Sequence, residues 1–148
     1  MAISGLVITY NEEKNIGKCI DALFEVCDEV IIVDSLSADN TVKIAEEKGA
    51  KVISQKFLGD GPQRTHGLPF CKNDWILNLD ADEFLDKDAK EFILKGKYLE
   101  GNYDAFSFRV KNFLADELID FSGWYPDHKV RFFNKKTAKP SEAKVHQK

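Results

Sequence analysis

The chain has no C-x-x-C pair, no stretch of apolar residues that could span a membrane, and little excess charge of either sign. Its three cysteines, Cys19, Cys27 and Cys71, are scattered and odd in number. That excludes a disulfide framework, and it lacks the clustered spacing of a structural zinc site. They read as free thiols in a reducing compartment. The longest apolar runs fall well short of the roughly 20 residues of a membrane helix. The opening M-A-I-S-G-L-V-I-T-Y-N-E-E has no basic stretch before its short apolar run and does not read as a signal peptide. A cytoplasmic protein is therefore expected. With 21 Lys and Arg against 25 Asp and Glu, the net charge of -4 argues against a general nucleic-acid binder. The tail K-K-T-A-K-P-S-E-A-K-V-H-Q-K is locally basic. It reads either as a solvated terminus or as a peripheral contact with anionic lipid at the inner membrane surface.

What is present suits a folded core: 43% hydrophobic residues, including eleven Phe, four Tyr and two Trp. Apolar runs and amphipathic stretches alternate through the first hundred residues. Strands are expected at 3–9, 30–33, 51–54 and 75–79. Between them, a helix is expected from Lys14 to Phe24, capped by Asn11. A second is capped by Asp39 or Asn40 and ends at Gly49. The loop Phe57–Pro62 precedes a weaker helix from Gln63 to Cys71, and a further helix runs from Asp86 to Tyr98. This order implies an α/β fold, a mostly parallel sheet with helices on both faces. After Gly101 two antiparallel strands are expected, Ala105–Val110 and Lys129–Phe133, separated by the aromatic F-S-G-W-Y-P-D-H. The whole reads as one domain over 1–148, with a first half to residue 100 and a second half of different character.

In such sheets ligands bind beyond the carboxyl ends of the strands. Acidic residues follow three of the four expected parallel strands: Glu12 and Glu13, Asp34, and the pair Asp80 and Asp82. If the D-A-D element is extended, both of its carboxylates face one way. They would then suit a hard cation, Mg²⁺ or Mn²⁺, which takes oxygen ligands and keeps places for water and phosphate. Helix capping is the plain alternative for any one of these acids. Asp34 can accept from a base or ribose hydroxyl, or serve as a turn residue. Arg64 suits a pyrophosphate or a solvated surface. His128 and His146 are secondary candidates for a metal or phosphate, although a lone histidine is more often structural.

Taken in order, I-x-G-L-V-I-T-Y-N-E-E-K-N-I, V-I-I-V-D-S-x-S-x-D-N-T and W-I-L-N-L-D-A-D-E resemble the GT-A-fold family 2 glycosyltransferases. The G-D-G-P-Q-R-T, W-Y-P-D-H-K-V-R-F-F and K-V-H segments are similar to the bacterial lipopolysaccharide-core β-1,4-glucosyltransferase branch. The resemblance covers essentially the whole chain. It implies a nucleotide-sugar-binding half at 1–100 and an acceptor-side half at 101–148. In relatives the latter continues further and often carries an acid where this chain has Gln147. It implies a UDP-sugar donor, a glycan or glycolipid acceptor and inverting transfer. Thr9, Tyr10 and Glu12 would surround the nucleoside, with Asp34 on the uracil or ribose and Arg64 near the donor. Asp80 and Asp82 would be the D-x-D pair, Asp80 at donor and metal and Asp82 the stronger metal ligand. The base falls among Asp116, Glu117, Asp120 and Asp127, with Asp127 favoured. Trp124 and Tyr125 would stack on an acceptor sugar or simply pack.

Rival readings remain at this stage. A sugar nucleotidyltransferase would need a basic, glycine-rich phosphate loop after the first strand, where this chain has T-Y-N-E-E. A phosphorylatable receiver domain would pair acids directly after the first strand with a lone acceptor Asp after a middle one, and the D-A-D after the fourth strand fits that poorly. A degenerate nucleotide-sugar-binding module would keep the donor residues and lack the base.

Overall fold

The computed structural model describes residues 2–108, 110–113 and 130–137, together with the backbone of 145–147. In chain order the elements are β1 (Ile3–Thr9), α1 (Ile16–Phe24), β2 (Glu29–Asp34), α2 (Thr41–Glu47), β3 (Lys51–Ser54), α3 (Asp60–Gly67), β4 (Trp75–Asn78), β5 (Glu83–Leu85), α4 (Lys87–Leu94), β6 (Ala105–Ser107), β7 (Val110–Asn112), β8 (Phe132–Asn134) and β9 (Val145–Gln147). Seven strands form one sheet in the order β3-β2-β1-β4-β8-β6-β9, and β5 with β7 form a second, two-stranded sheet. The first four strands in that order are mutually parallel. β8 is antiparallel to both β4 and β6, and β9 is parallel to β6. The expected α/β fold, mostly parallel with a smaller antiparallel part, is what the chain adopts.

β1 and β2 are buried on both faces, which is why they read as unbroken apolar runs. Ile3, Val7, Val30 and Ile32 join one core cluster, under Ile16, Cys19, Ile20 and Leu23 of α1 and Ala89 and Ile93 of α4. Leu6, Ile31, Val33 and Ile76 join the other, beneath α3. Burying these aliphatic side chains contributes roughly 1.5–3 kcal/mol each. All three cysteines are buried free thiols. Burial pushes the Cys71 thiol up to about 11, and those of Cys19 and Cys27 higher still, so they serve as small hydrophobes.

Several boundaries differ from the sequence expectation. Asn11 does not cap α1. Its backbone is left-handed (φ 52), and its side chain accepts from the Ala38 N–H at 2.8 Å. α3 begins at Asp60, inside the expected loop, because Pro62 is tolerated in a first turn whose N–H groups have no helical partner. It stops at Gly67 and gives way to a 3-10 turn, Leu68–Phe70, containing Pro69. Asp86 caps α4 as expected, its Oδ1 accepting from Ala89 N at 2.8 Å. The helix ends at Leu94 and not near Tyr98, since Gly96 takes a left-handed conformation (φ 69). The expected strand Ala105–Val110 is two strands in different sheets. In sequence the apolar Phe106, Phe108 and Val110 alternate without a break across the switch and conceal it, although Ala105 and Ser107 are buried as well.

α3 approaches the sheet closely at Gly67. A Cβ there would lie 2.6 Å from Leu6 Cδ1 and 2.7 Å from Val33 Cγ2. Gly67→Ala must displace the Leu6 and Val33 side chains or lift α3, and is expected to destabilise the fold by about 1–3 kcal/mol in urea unfolding, despite the higher helix propensity of alanine.

Candidate active site

Parallel pairing sends the carboxyl ends of β1, β2 and β4 to the same rim, and a cleft of about 520 Å³ opens there. Thr9, Tyr10, Glu12, Arg64 and Asp80 line it together, with Phe57 on the wall from the loop after β3. Tyr10 is 62% exposed, so its ring is available at the mouth.

Asp34 and Asp82 do not line this cleft. Asp34 is wholly buried, and its carboxylate is engaged within the protein. Oδ1 accepts from Thr9 Oγ1 at 2.7 Å and Ser37 Oγ at 2.6 Å, and Oδ2 accepts from Ser37 N at 2.8 Å. A carboxylate held in this way fixes the loop after β2 against the end of β1. The same two loops are laced further. Asn11 N donates to Ser37 Oγ at 2.8 Å, Glu12 N to Thr41 Oγ1 at 2.8 Å, and Glu13 N to Asp39 Oδ2 at 3.2 Å. Much of the T-Y-N-E-E and D-S-L-S-A-D-N-T segments therefore holds one loop to the other.

The D-A-D segment is a tight turn. β4 ends at Asn78, and Glu83 N donates to Asp80 O at 3.0 Å. The expected extended arrangement does not apply, so the two carboxylates are placed by the turn. Asp80 Oδ1 accepts from Arg64 Nη2 at 3.0 Å. Asn78, with its amide oriented to satisfy both contacts, accepts from Arg64 Nε at 3.0 Å and donates to Leu6 O at 3.0 Å. Asp82 stays on the rim close to Glu12. Burial, then Asp82, Asp39 and Asp80, raise the Glu12 carboxyl above its ordinary value.

Sequence reasoning missed the pair that anchors this turn. Arg131, 1% exposed, grips Glu83 in a two-bond fork, Nη1 to Oε1 at 2.7 Å and Nη2 to Oε2 at 2.9 Å. Glu83 Oε1 also accepts from Asp80 N at 2.8 Å, and Asn78 N donates to Arg131 O at 2.7 Å. Burial raises the Glu83 carboxyl, while Arg131 pulls it the other way. An arginine inside the apolar V-R-F-F was the available signal, since arginine is almost never fully buried unless paired.

Asp127, the expected base, lies outside the described residues. So do Asp116, Glu117, Asp120, Trp124, Tyr125, His128 and the side chain of His146. Among the described residues no three His, Cys, Asp or Glu side chains converge tightly enough to hold a metal unaided, and no helix is long and apolar enough to cross a membrane.

Residues 4–142 match the family described as Glycosyl transferase family 2. The chain belongs to glycosyl transferase family 2. An uncharacterised glycosyltransferase of Rickettsia felis is 48% identical over 91 residues, covering 62% of this chain and 32% of its own length. The lipopolysaccharide core biosynthesis glycosyltransferase LpsC of Rhizobium meliloti is 36% identical over 98 residues, 63% of this chain and 36% of that protein. The chain thus spans about a third of the length of these relatives. Glucosyl-3-phosphoglycerate synthase of Mycobacterium tuberculosis, solved with Mn²⁺, UDP and glucosyl-3-phosphoglycerate, superposes with a TM-score of 0.65 at 22% identity, over 91% of this chain and 57% of that one. The fold is that of the GT-A enzymes.

Two outcomes follow for this family 2 site. Arg131→Met leaves Glu83 buried without its partner and should cost about 3–5 kcal/mol in urea unfolding, much of it recovered when Glu83→Gln is added. For Glu12 the folded pKa lies above the unfolded one. Its ionisation therefore opposes folding, and its contribution to stability falls as pH rises from about 4.5 through the folded value. Metal-free Glu12→Gln should accordingly melt higher than the parent at pH 7, and the gap should close near pH 4.

Proposed function

We propose that the chain is the donor-binding part of an inverting glycosyltransferase that uses Mg²⁺ or Mn²⁺ to move a sugar, glucose, from a UDP-sugar to a glycan or glycolipid acceptor in lipopolysaccharide or cell-surface polysaccharide biosynthesis. One observation carries this reading: Arg64 and the carboxylates of Glu12 and Asp80 meet in one cleft at the ends of parallel strands, with Asp82 beside them on the rim. Family membership supports sugar transfer. The similarity to LpsC supports lipopolysaccharide as the destination, and hence work at the inner membrane surface.

The residues present fit a hard divalent cation. The rim supplies oxygen donors, and burial together with the neighbouring Asp82, Asp39 and Asp80 has already raised the cost of ionising Glu12. Such an ion needs only one or two carboxylates, the rest of its shell being phosphate and water. Asp80 and Asp82 would hold it, and when bound it supplies charge neutralisation to a diphosphate leaving group. Tyr10 and Thr9 would border the nucleoside, with Asp34 acting there through Thr9 and Ser37. Arg64 would present guanidinium N–H groups to phosphate oxygens. Asp127 would take the proton from the acceptor hydroxyl. The acceptor oxygen would then bond to the anomeric carbon as its bond to the diphosphate oxygen breaks on the opposite face, inverting configuration.

Calorimetric titration of UDP with and without Mn²⁺ tests the donor site. Metal-dependent binding is expected, weakened at least tenfold by Asp80→Asn and by Asp82→Asn. Equal affinity with and without metal would overturn the metal assignment. UDP-sugar binding with no release of sugar on prolonged incubation would make the chain a donor-binding module.

A further inference from the structure

Gln63 is wholly buried on α3, yet it belongs neither to the apolar core nor to the lining of the cleft. Its amide meets three partners from two loops. Nε2 donates to Ser35 Oγ at 3.1 Å and to Gln55 O at 2.9 Å, and Oε1 accepts from Leu58 N at 2.9 Å. Ser35 stands on the loop after β2 and is part of the cleft wall, while residues 55–58 carry Phe57 into the same wall. Four positions along α3, Gly67 seats the helix against Leu6 and Val33. Residues four apart share a helix face, so the contact at Gly67 sets the depth at which Gln63 reaches these loops. The adjacent Arg64 faces the cleft and pairs with Asp80.

We propose that Gln63 is a positioning residue that forms the nucleoside wall of the cleft before any ligand arrives, acting through Ser35 and the backbone of residues 55–58. The inference rests on the donor-site reading above and deepens it. An apolar side chain in this place leaves the Leu58 N–H and the Gln55 carbonyl without their partners. The loop must then move to reach water, and Phe57 moves with it. Arg64, Asp80 and Asp82 keep their own anchors in Asn78 and in the turn tied to Glu83. The phosphate end of the site is therefore insulated from the change.

That separation supplies a readout which general loss of stability would not produce. On the full chain with Mn²⁺ present, Gln63→Met should weaken UDP binding about tenfold. Binding of inorganic pyrophosphate should stay within about twofold of the parent. Gln63→Asn keeps the amide but draws it back by one methylene from all three partners, so it should fall between parent and Gln63→Met. It also serves as the deciding variant if Gln63→Met does not fold. UDP affinity within twofold of the parent in a folded variant would overturn the proposal, as would parallel weakening of UDP and pyrophosphate. A parent that binds pyrophosphate but no UDP would instead remove the donor-site reading, and this inference with it.

Discussion

Four carboxylates, Glu12, Asp80, Asp82 and Glu83, crowd the carboxyl ends of β1 and β4, where burial, reinforced by neighbouring carboxylates, makes Glu12 and Glu83 harder to ionise. Groups of like charge separate if the backbone lets them. Here two arginines oppose that tendency. Arg131 reaches the turn through a buried fork to Glu83, and Arg64 reaches it from α3 through Asp80. The two pairs differ in kind. Arg131 and Glu83 are almost fully shielded, so their attraction is scarcely screened while their desolvation is costly, which makes the pair a device for specifying geometry. Arg64 and Asp80 are partly open to solvent, 22% and 34% exposed in their side chains. Such a pair contributes little to stability and can be exchanged for a phosphate or a cation at modest cost.

Around that charged turn the remaining loops are held by neutral or singly charged hydrogen-bonding groups. Asp34 ties the β2 loop to β1, Thr41 and Asp39 receive the backbone of the β1 loop, and Gln63 joins the β2 and β3 loops to α3. The loops at the mouth thus share a network before any ligand is present, which lowers the ordering cost of binding. The close seat of Gly67 on Leu6 and Val33 makes this network part of the sheet's own packing.

The fold was legible because its causes are local. Doubly buried parallel strands must be apolar on both faces, so I-S-G-L-V-I-T, V-I-I-V and W-I-L-N announce themselves. The start of α3 was obscured by Gly59, Gly61 and Pro62, which resemble a loop in sequence but sit in or beside a first helical turn. The second sheet was hidden because β6 and β7 continue one alternating pattern across a change of sheet. Within the site, Glu12 and Asp80 could be named because residues after parallel strands converge by topology, while Thr9, Tyr10 and Arg64 were placed by the family resemblance. Asp34 was named for its position at a strand end, but such a position says nothing of which way the carboxylate turns.

The sequence alone determined that this is an α/β chain with acids gathered at one rim, since strand periodicity and strand-end residues follow from short-range sterics and burial. Only the tertiary structure decided which of those acids face the cleft and which are consumed in holding it open. That depends on partners far apart in the chain: Thr9 with Asp34, Glu83 with Arg131, Gln63 with Ser35. A hydrogen bond's direction is settled by the packing of whole elements, and no local pattern of residues carries that information.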